Sequence, residues 1–147
     1  MNKENALKYL YRLISQREYL EKTLIDKLSK KGASQVVITE SISRLKELGY
    51  IDDNSFIKSF VKSGIRKLNG PNRIRNKLFM LGANSSDVEI SLDEFYTQEL
   101  INNNIKILII KKSKSQDDRN KVIAYCVRRG FSISDILTAE SEINQGL

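Results

Sequence analysis

The chain of 147 residues contains no histidine, no tryptophan, one proline and one cysteine. Without histidine it lacks the side chain that titrates near neutral pH and the commonest protein ligand of metals. A serine or cysteine nucleophile would have no imidazole base beside it, which excludes most familiar hydrolase designs. The single cysteine, Cys126, cannot form an internal disulfide, and we expect it to be a small buried apolar side chain.

Long hydrophobic runs are also missing. The longest apolar stretch, from Ile105 to Ile110, is interrupted by Lys106 and is much shorter than the ~18 residues that a membrane-spanning helix needs. The first residues, MNKENALKYLYRLI, carry charges at amphipathic spacing where a signal peptide would have an unbroken apolar block. These features predict a cytoplasmic protein.

Three stretches of the chain resemble one another: DKLSKKGASQVVITESISRL, NKLFMLGANSSDVEISLDEF and AYCVRRGFSISDILTAESEI. Each has an apolar residue four positions before a glycine and a β-branched residue six positions after it, in the sets Leu28–Gly32–Ile38, Leu78–Gly82–Val88 and Cys126–Gly130–Ile136. Glycine after an apolar-periodic run is a usual helix stop, because it adopts positive φ at no steric cost. A serine then offers a cap to the next helix: Ser34, Ser85 or Ser86, and Ser132 or Ser134. Each copy predicts helix, turn, helix.

Apolar spacing of three and four predicts helices throughout and no strand. The predicted helices cover about 5–15, 20–31 and 35–48, then one that begins at Asp52 or Asp53, one from Pro71 to Gly82, two over about 87–95 and 97–111, and two closing helices. Their apolar stripes predict buried positions that include Leu10, Leu28, Leu45, Val61, Leu78, Ile105 and Ile136, together with Tyr11, Leu81, Leu100 and Leu137.

Nine helices in three sets of three define the predicted fold class. It is all-α, with three tandem three-helix repeats, similar to helix-turn-helix units, that form an elongated, curved array. The predicted units are residues 1–53, 54–95 and 96–147, and we expect a monomer. Nucleic-acid readers and plain scaffolds share such units, so this fold class does not define a function.

The net charge of +7 is unevenly distributed along the chain. Residues 54–86 contain no acidic residue and seven basic ones: Lys58, Lys62, Arg66, Lys67, Arg73, Arg75 and Lys77. Because no acid of this segment can neutralise them, they predict an exposed basic ridge that suits phosphate or an acidic protein groove. Arg128 and Arg129 of the third repeat are further candidates for binding a partner or nucleic acid. The alternative is an ordinary solvated surface.

Two acidic pairs and a group of tyrosines could also suggest sites. Asp52–Asp53 and Asp117–Asp118 resemble metal ligands, but adjacent residues at a helix start point apart and are explained by capping and by the helix dipole. Four tyrosines could stack on bases: Tyr9, Tyr11, Tyr19 and Tyr50. At helical spacing, core or rim packing is the favoured interpretation. No catalytic residue, metal ligand or cofactor is predicted.

Four sequence blocks follow one another in the chain: RLISQREYLEKTLIDKLSKKG, SRLKELGYIDDNSFIKSFVKS, NGPNRIRNKLFMLG and VRRGFS. In this order and with this spacing they resemble the signature blocks of the RecX family of bacterial recombinase regulators, over nearly the whole chain. The matching residues are Arg12, Arg17, Glu18, Asp53, Phe56, Gly70, Arg73, Ile74, Leu78, Gly82, Arg129, Gly130 and Phe131. The tandem three-helix repeats of that family agree with the repeat found from the glycines.

The resemblance implies a small cytoplasmic protein that binds RecA and its filament on single-stranded DNA, and that modulates, most often inhibits, ATP hydrolysis and strand exchange. Such a regulator needs no active site, so we do not expect an enzyme. The chain departs from the family at Leu20, where a serine cap is common, and at Thr23, where a glutamate would complete the capping box. From these departures we expect the second helix to lack a cap worth ~1 kcal/mol.

A direct DNA-binding protein of helix-turn-helix type, acting as a transcription regulator through its fifth helix, is the alternative. It predicts tight binding to naked DNA with a steep salt dependence, whereas binding to the filament predicts only modest affinity without RecA. Asn72 and Asn76 are the only obvious amide readers of bases on that helix. An enzyme is the least favoured class because the chain has no histidine.

Overall fold

The structure is a computed structural model that describes residues 1–114 and 118–146. Within these residues the chain forms nine α-helices and no strand: α1 Lys3–Ile14, α2 Glu21–Lys30, α3 Gln35–Glu47, α4 Asp53–Arg66, α5 Pro71–Met80, α6 Ser85–Phe95, α7 Gln98–Lys114, α8 Arg119–Arg128 and α9 Ile133–Asn144. None of these helices is both long enough and apolar enough to cross a membrane. The predicted all-α fold is confirmed.

The three predicted copies end their first helices in the same way. Gly32, Gly82 and Gly130 have φ of 89°, 88° and 101°. In each copy the amide after the glycine donates to the carbonyl five residues earlier, in the pairs Ala33–Leu28 (3.1 Å), Ala83–Leu78 (3.0 Å) and Phe131–Cys126 (3.2 Å). The residue that supplies the carbonyl is fully buried in every copy. Its backbone therefore accepts the hydrogen bond that ends the helix, while its side chain packs in the core.

The helix starts differ from the prediction in one copy. Ser34 and Ser132 cap α3 and α9 as expected. In the second copy Asn84 is the cap, because its Oδ1 accepts the amide of Asp87 at 3.1 Å and α6 already begins at Ser85. The predicted serine cap of this copy is therefore wrong, since asparagine caps a helix as well as serine does. At the predicted acidic start of the eighth helix Asp118 is the N-cap of α8, and Asp117 lies outside the described residues.

Helix packing divides the described chain into three groups. Every extensive contact between helices lies within α1–α3, α4–α6 or α7–α9. The first group has its own core around Leu10, Leu28 and Leu45. A single second core runs through α4–α9, so the second and third groups are fused, which the repeat pattern did not predict. The curvature of the array and the unit boundaries at 53/54 and 95/96 stay predictions.

The start of α2 joins the first group to the second. Leu20, the N-cap residue of α2, is only 1% exposed and lies in the core that continues through α4–α9. The carboxylate of Asp53, the first residue of α4, accepts the amide of Glu21 at 2.9 Å. Leu20 itself makes no capping hydrogen bond, as expected, but a residue of the neighbouring group supplies an acceptor for the first amide of α2, which was not predicted. An apolar side chain suits this position because it is buried in the core of that group.

Four predicted core residues are exposed: Tyr11, Leu81, Leu100 and Leu137. Apolar periodicity identifies the face of a helix that is buried, but the neighbouring helices decide how much of the edge of that face is covered. The ring of Tyr11 packs edge-on against Tyr50 at the surface, with ring centroids 6.0 Å apart. Cys126 is buried as predicted, and burial raises the pKa of its thiol.

Candidate partner-binding surface

Three of the predicted cations lie on α4 and are exposed: Lys58, Lys62 and Arg66. Residues four positions apart share a helix face, and this face is turned away from the apolar stripe of α4. The ammonium of Lys62 lies 4.5 Å from the ring centroid of Phe95, and Lys58 borders the groove between α4 and α6 together with Glu94. None of the three cations forms an ion pair with a described residue, so the face keeps its positive charge.

Arg75 does not belong to the free ridge. Its guanidinium forms a two-point ion pair with Glu89 of α6, in which Nη2 lies 3.2 Å from Oε2, and it donates to the amide oxygen of Asn72 at 2.7 Å. The interpretation that all seven cations lack an acidic partner is therefore wrong for Arg75. Glu89 lies just outside the acid-free sequence segment and reaches Arg75 from the next helix.

The loops after α4 and α8 are joined to each other by backbone hydrogen bonds. The amide of Gly70 donates to the carbonyl of Arg129 at 2.6 Å, and the amide of Asn72 donates to the carbonyl of Gly130 at 3.0 Å. A Cβ on Gly70 would lie 2.2 Å from the carbonyl carbon of Gly130, so the backbones approach this closely only because glycine occupies the position. We call this pairing of the two loops the junction.

Arg129 holds the junction together. Its guanidinium donates to the carbonyl of Leu68 at 3.3 Å and to the carbonyl of Lys67. Arg129 therefore has a structural task within the chain, unlike its neighbour Arg128, which is exposed and forms no ion pair with a described residue. Arg73 is half-buried and packs directly against Gly130. The junction thus gathers Lys67, Arg73 and Arg128 from two different units.

A buried network of side-chain hydrogen bonds binds the backbone next to the junction. The hydroxyl of Tyr96 donates to the carbonyl of Asn69 at 2.7 Å. The side-chain amide nitrogen of Asn104 donates to that hydroxyl at 3.0 Å and to the backbone carbonyl of Ile65 at 3.1 Å. Burial raises the pKa of Tyr96 to about 12. Tyr96 and Asn104 were not predicted as important, because the partners of Tyr96 lie on another segment of the chain.

Of the nine candidate side chains only Arg75 forms an ion pair with a described residue, and Arg129 is engaged with backbone carbonyls, which leaves seven with neither kind of partner. We call them the basic surface: Lys58, Lys62, Arg66, Lys67, Arg73, Lys77 and Arg128. Unpaired ammonium and guanidinium groups bind phosphate or carboxylate and perform no chemistry on it by themselves.

In the described part of the chain no three acidic or cysteine side chains come together in a group that could hold a metal ion. Asp52 caps its own helix by accepting the amide of Ser55 at 3.1 Å, whereas Asp53 caps α2. The two adjacent carboxylates therefore serve different helices, as the capping interpretation requires. The described fold and surface thus define an all-α protein of three three-helix groups that carries a basic surface.

Comparison with known proteins identifies the family. No family model matches the chain. It is 32% identical over 133 residues to the regulatory protein RecX of Caldanaerobacter subterraneus subsp. tengcongensis, covering 90% of this chain and 68% of that protein. It is 30% identical over 135 residues to the regulatory protein RecX of Chlorobium phaeobacteroides, covering 90% of this chain and 89% of that one. The crystal structure of RecX from Lactobacillus salivarius has the same fold, with a TM-score of 0.87 at 24% identity over 97% of each chain.

The chain belongs to the RecX family of regulatory proteins, as its four sequence blocks indicated. It is a regulatory protein of recombination and not an enzyme. Five of the residues that carry the resemblance, Gly70, Arg73, Arg129, Gly130 and Phe131, meet at or under the junction. A sixth, Asp53, caps α2 from the neighbouring group. Much of the family signature in this chain therefore holds the units together.

Proposed function

We propose that this protein binds RecA, and in particular the RecA filament on single-stranded DNA, and that it inhibits ATP hydrolysis and strand exchange there. The observation that carries the proposal is the basic surface, six of whose seven residues belong to the second unit and which forms no ion pair in the described chain, on a member of the RecX family. A filament on DNA presents the same acidic and polar groups at regular intervals. A chain of three similar units can contact several of its subunits at once.

The way the units are joined supports inhibition by bridging. The second and third units share one core and are hydrogen-bonded at the junction, so they resist being pulled apart. A rigid body that contacts neighbouring subunits of a polymer opposes any rearrangement that changes their spacing, and individually weak contacts are strengthened by their high effective concentration. Inhibition of this kind requires binding alone. A regulator acts by binding one state of the filament more tightly than the others. We propose that binding here favours a state in which ATP hydrolysis and strand exchange are inhibited.

Charge reversal on the basic surface tests the proposal. The triple variant Lys58→Glu, Arg66→Glu, Lys77→Glu changes three exposed side chains that form no ion pair with a described residue. Its matched control is Lys3→Glu, Lys114→Glu, Lys121→Glu, which changes the same number of exposed cations on the other two units. Binding to RecA filaments on single-stranded DNA is measured by light scattering, alongside RecA ATPase activity.

We expect the first variant to lose at least tenfold in affinity and to release the ATPase from inhibition, whereas the control loses much less. Equal behaviour of the two variants would remove the basic surface from the mechanism. Stimulation of the ATPase by the unmodified protein would contradict the proposed inhibition while leaving binding in place.

The alternative, a transcription regulator that reads DNA through α5, has less support. The amide oxygen of Asn72 already accepts a hydrogen bond from Arg75, and Arg75 is paired with Glu89. Of the two amides that could read bases, Asn76 is the one without such a contact in the described chain. Direct readout of a base sequence by α5 therefore has few side chains available.

A further inference from the structure

The first unit carries a second positive surface, which its balanced composition conceals. Its acidic residues are largely engaged, in the ion pairs Lys8–Glu4, Lys22–Asp26, Arg44–Glu47 and Lys46–Glu21 and in the two aspartate caps. Six cations of this unit form no ion pair with a described residue: Lys3, Arg12, Arg17, Lys27, Lys30 and Lys31. The unit thus has nearly equal numbers of acidic and basic residues, but the side chains that form no ion pair are mostly basic.

Four of these free cations surround two tyrosine rings. Arg12 and Lys31 lie 5.4 and 5.3 Å from the ring centroid of Tyr9. Arg17 and Lys27 lie 4.6 and 5.8 Å from the ring centroid of Tyr19. Both rings are half-buried, and Tyr19 packs against the first core, so each ring keeps part of its surface accessible.

The two ring clusters form one continuous feature. Lys27 and Lys31 are four residues apart on or at the end of α2, and side chains at this spacing lie on the same helix face. The order along that face is therefore a cation, a ring, two cations, a second ring and a further cation. We call it the tyrosine–cation strip: Arg17, Tyr19, Lys27, Lys31, Tyr9 and Arg12.

We propose that the tyrosine–cation strip binds single-stranded nucleic acid directly, with its cations on the phosphates and its tyrosine rings against the bases. Single-strand binding surfaces combine positive charge along the backbone with aromatic rings on which bases stack. Each ring of the strip has two cations beside it, so a base stacked on a ring would have cations close by for the neighbouring phosphates. An acidic polypeptide would use the cations but would gain nothing comparable from the rings. A base that stacks on a ring displaces a long, exposed cationic side chain, which is then already beside a phosphate.

Acidic side chains lie at the Tyr19 end of the strip. Glu18 lines a pocket there with Tyr19, Tyr50 and Asp52. At the other end a pocket lined by Met1, Lys8, Tyr9, Arg12 and Lys31 continues the positive character, because Glu4 is the partner of Lys8 alone. A bound strand is therefore expected to extend beyond Tyr9 and to stop near Tyr19.

The test uses the full chain and labelled oligothymidylate, without RecA, and follows fluorescence anisotropy over a series of salt concentrations. Lys27→Gln, Lys31→Gln removes two charges from the strip, and Lys114→Gln, Lys121→Gln is the control that removes two exposed charges elsewhere. Each phosphate contact on a single strand contributes about 0.7 to the slope of log K against log salt. We expect the strip variant to lower that slope by about 1.4 and the control to leave it nearly unchanged.

The rings are tested separately by Tyr9→Leu, Tyr19→Leu, which removes both rings but keeps every charge and an apolar side chain at each position. We expect affinity to fall at least about fivefold per ring with an unchanged salt slope. Polyglutamate in place of the oligonucleotide identifies an acidic protein partner. If polyglutamate binds as tightly and the ring variant binds the oligonucleotide like the unmodified protein, nucleic-acid binding by the strip is wrong.

Equal losses in the strip and control variants would also overturn the proposal, since binding would then reflect net charge alone. Because RecA is absent from this assay, its result is independent of the proposed filament binding. The basic surface can fail its own test while the strip passes, and the reverse also holds. Far-UV circular dichroism of each variant confirms that the nine described helices are retained.

Discussion

Leu20→Ser distinguishes capping within one helix from packing between units. By sequence alone, serine at this position supplies the missing cap of α2 and should stabilise the protein by ~1 kcal/mol. In the structure Leu20 is buried in the core of the second and third units, and the first amide of α2 is already bonded to Asp53. The two views predict opposite signs for the same substitution.

The magnitude follows from burial. Truncating a fully buried leucine costs about 2–5 kcal/mol, which combines the lost transfer free energy with that of the cavity left behind. A new serine cap returns at most ~1 kcal/mol, because one of the free amides of α2 already has a partner. We therefore expect Leu20→Ser to lower the free energy of unfolding by about 1–4 kcal/mol. At roughly 2–4 °C per kcal/mol for a chain of this size, the fall in Tm is easily measured.

Urea unfolding followed by circular dichroism provides the assay, with two controls. Leu20→Met keeps the volume and should cost less than about 1.5 kcal/mol. Leu20→Ala removes the side chain without adding a cap, so it should be less stable than Leu20→Ser by the worth of that cap. If Leu20→Ser unfolds at the same or a higher urea concentration than the unmodified protein, the burial of Leu20 between units is refuted.

Two further substitutions test the junction. Gly32→Ala and Gly130→Ala both place a Cβ at positive φ, which costs about 1–2 kcal/mol, but only at Gly130 would the Cβ also meet backbone, 2.6 Å from the nitrogen of Arg73. Gly130→Ala should therefore be clearly the less stable in urea, and equal losses would contradict the close approach of the two loops. Tyr96 has a pKa of about 12 in the folded protein against about 10 when unfolded, so its contribution to stability is complete below pH 10 and is lost as the pH rises towards 12. Tyr96→Phe should flatten this alkaline loss, whereas parallel stability profiles for the two proteins would exclude Tyr96 as its cause.

The candidate surface was only partly predictable, because charge neutralisation depends on neighbours in space. The acid-free sequence segment predicted unpaired cations, and the interpretation is wrong where α6 brings Glu89 against Arg75. The first unit shows the opposite case. Its composition is nearly balanced, yet its acids are used in caps and in local ion pairs, and four free cations remain around Tyr9 and Tyr19.

The adjacent pair Arg128–Arg129 illustrates the same limit. Both residues have the same formal charge and neighbouring positions. Arg129 matches the family blocks and Arg128 does not, but that match does not say what Arg129 contacts. The structure directs Arg129 to the carbonyls of Lys67 and Leu68, more than sixty residues away, and leaves Arg128 exposed. A guanidinium that satisfies backbone carbonyls stabilises the fold, whereas its exposed neighbour is available to a partner.

The amino-acid sequence by itself determined the helices, their glycine stops and the threefold repeat, because these depend on interactions between residues at most a few positions apart. It also carried the family resemblance. Only the tertiary structure decided which cations are free, how Leu20 and Asp53 join the first unit to the second, and how Gly70 and Gly130 join the second to the third. Those features depend on residues that are distant along the chain and become neighbours when apolar faces are buried against each other.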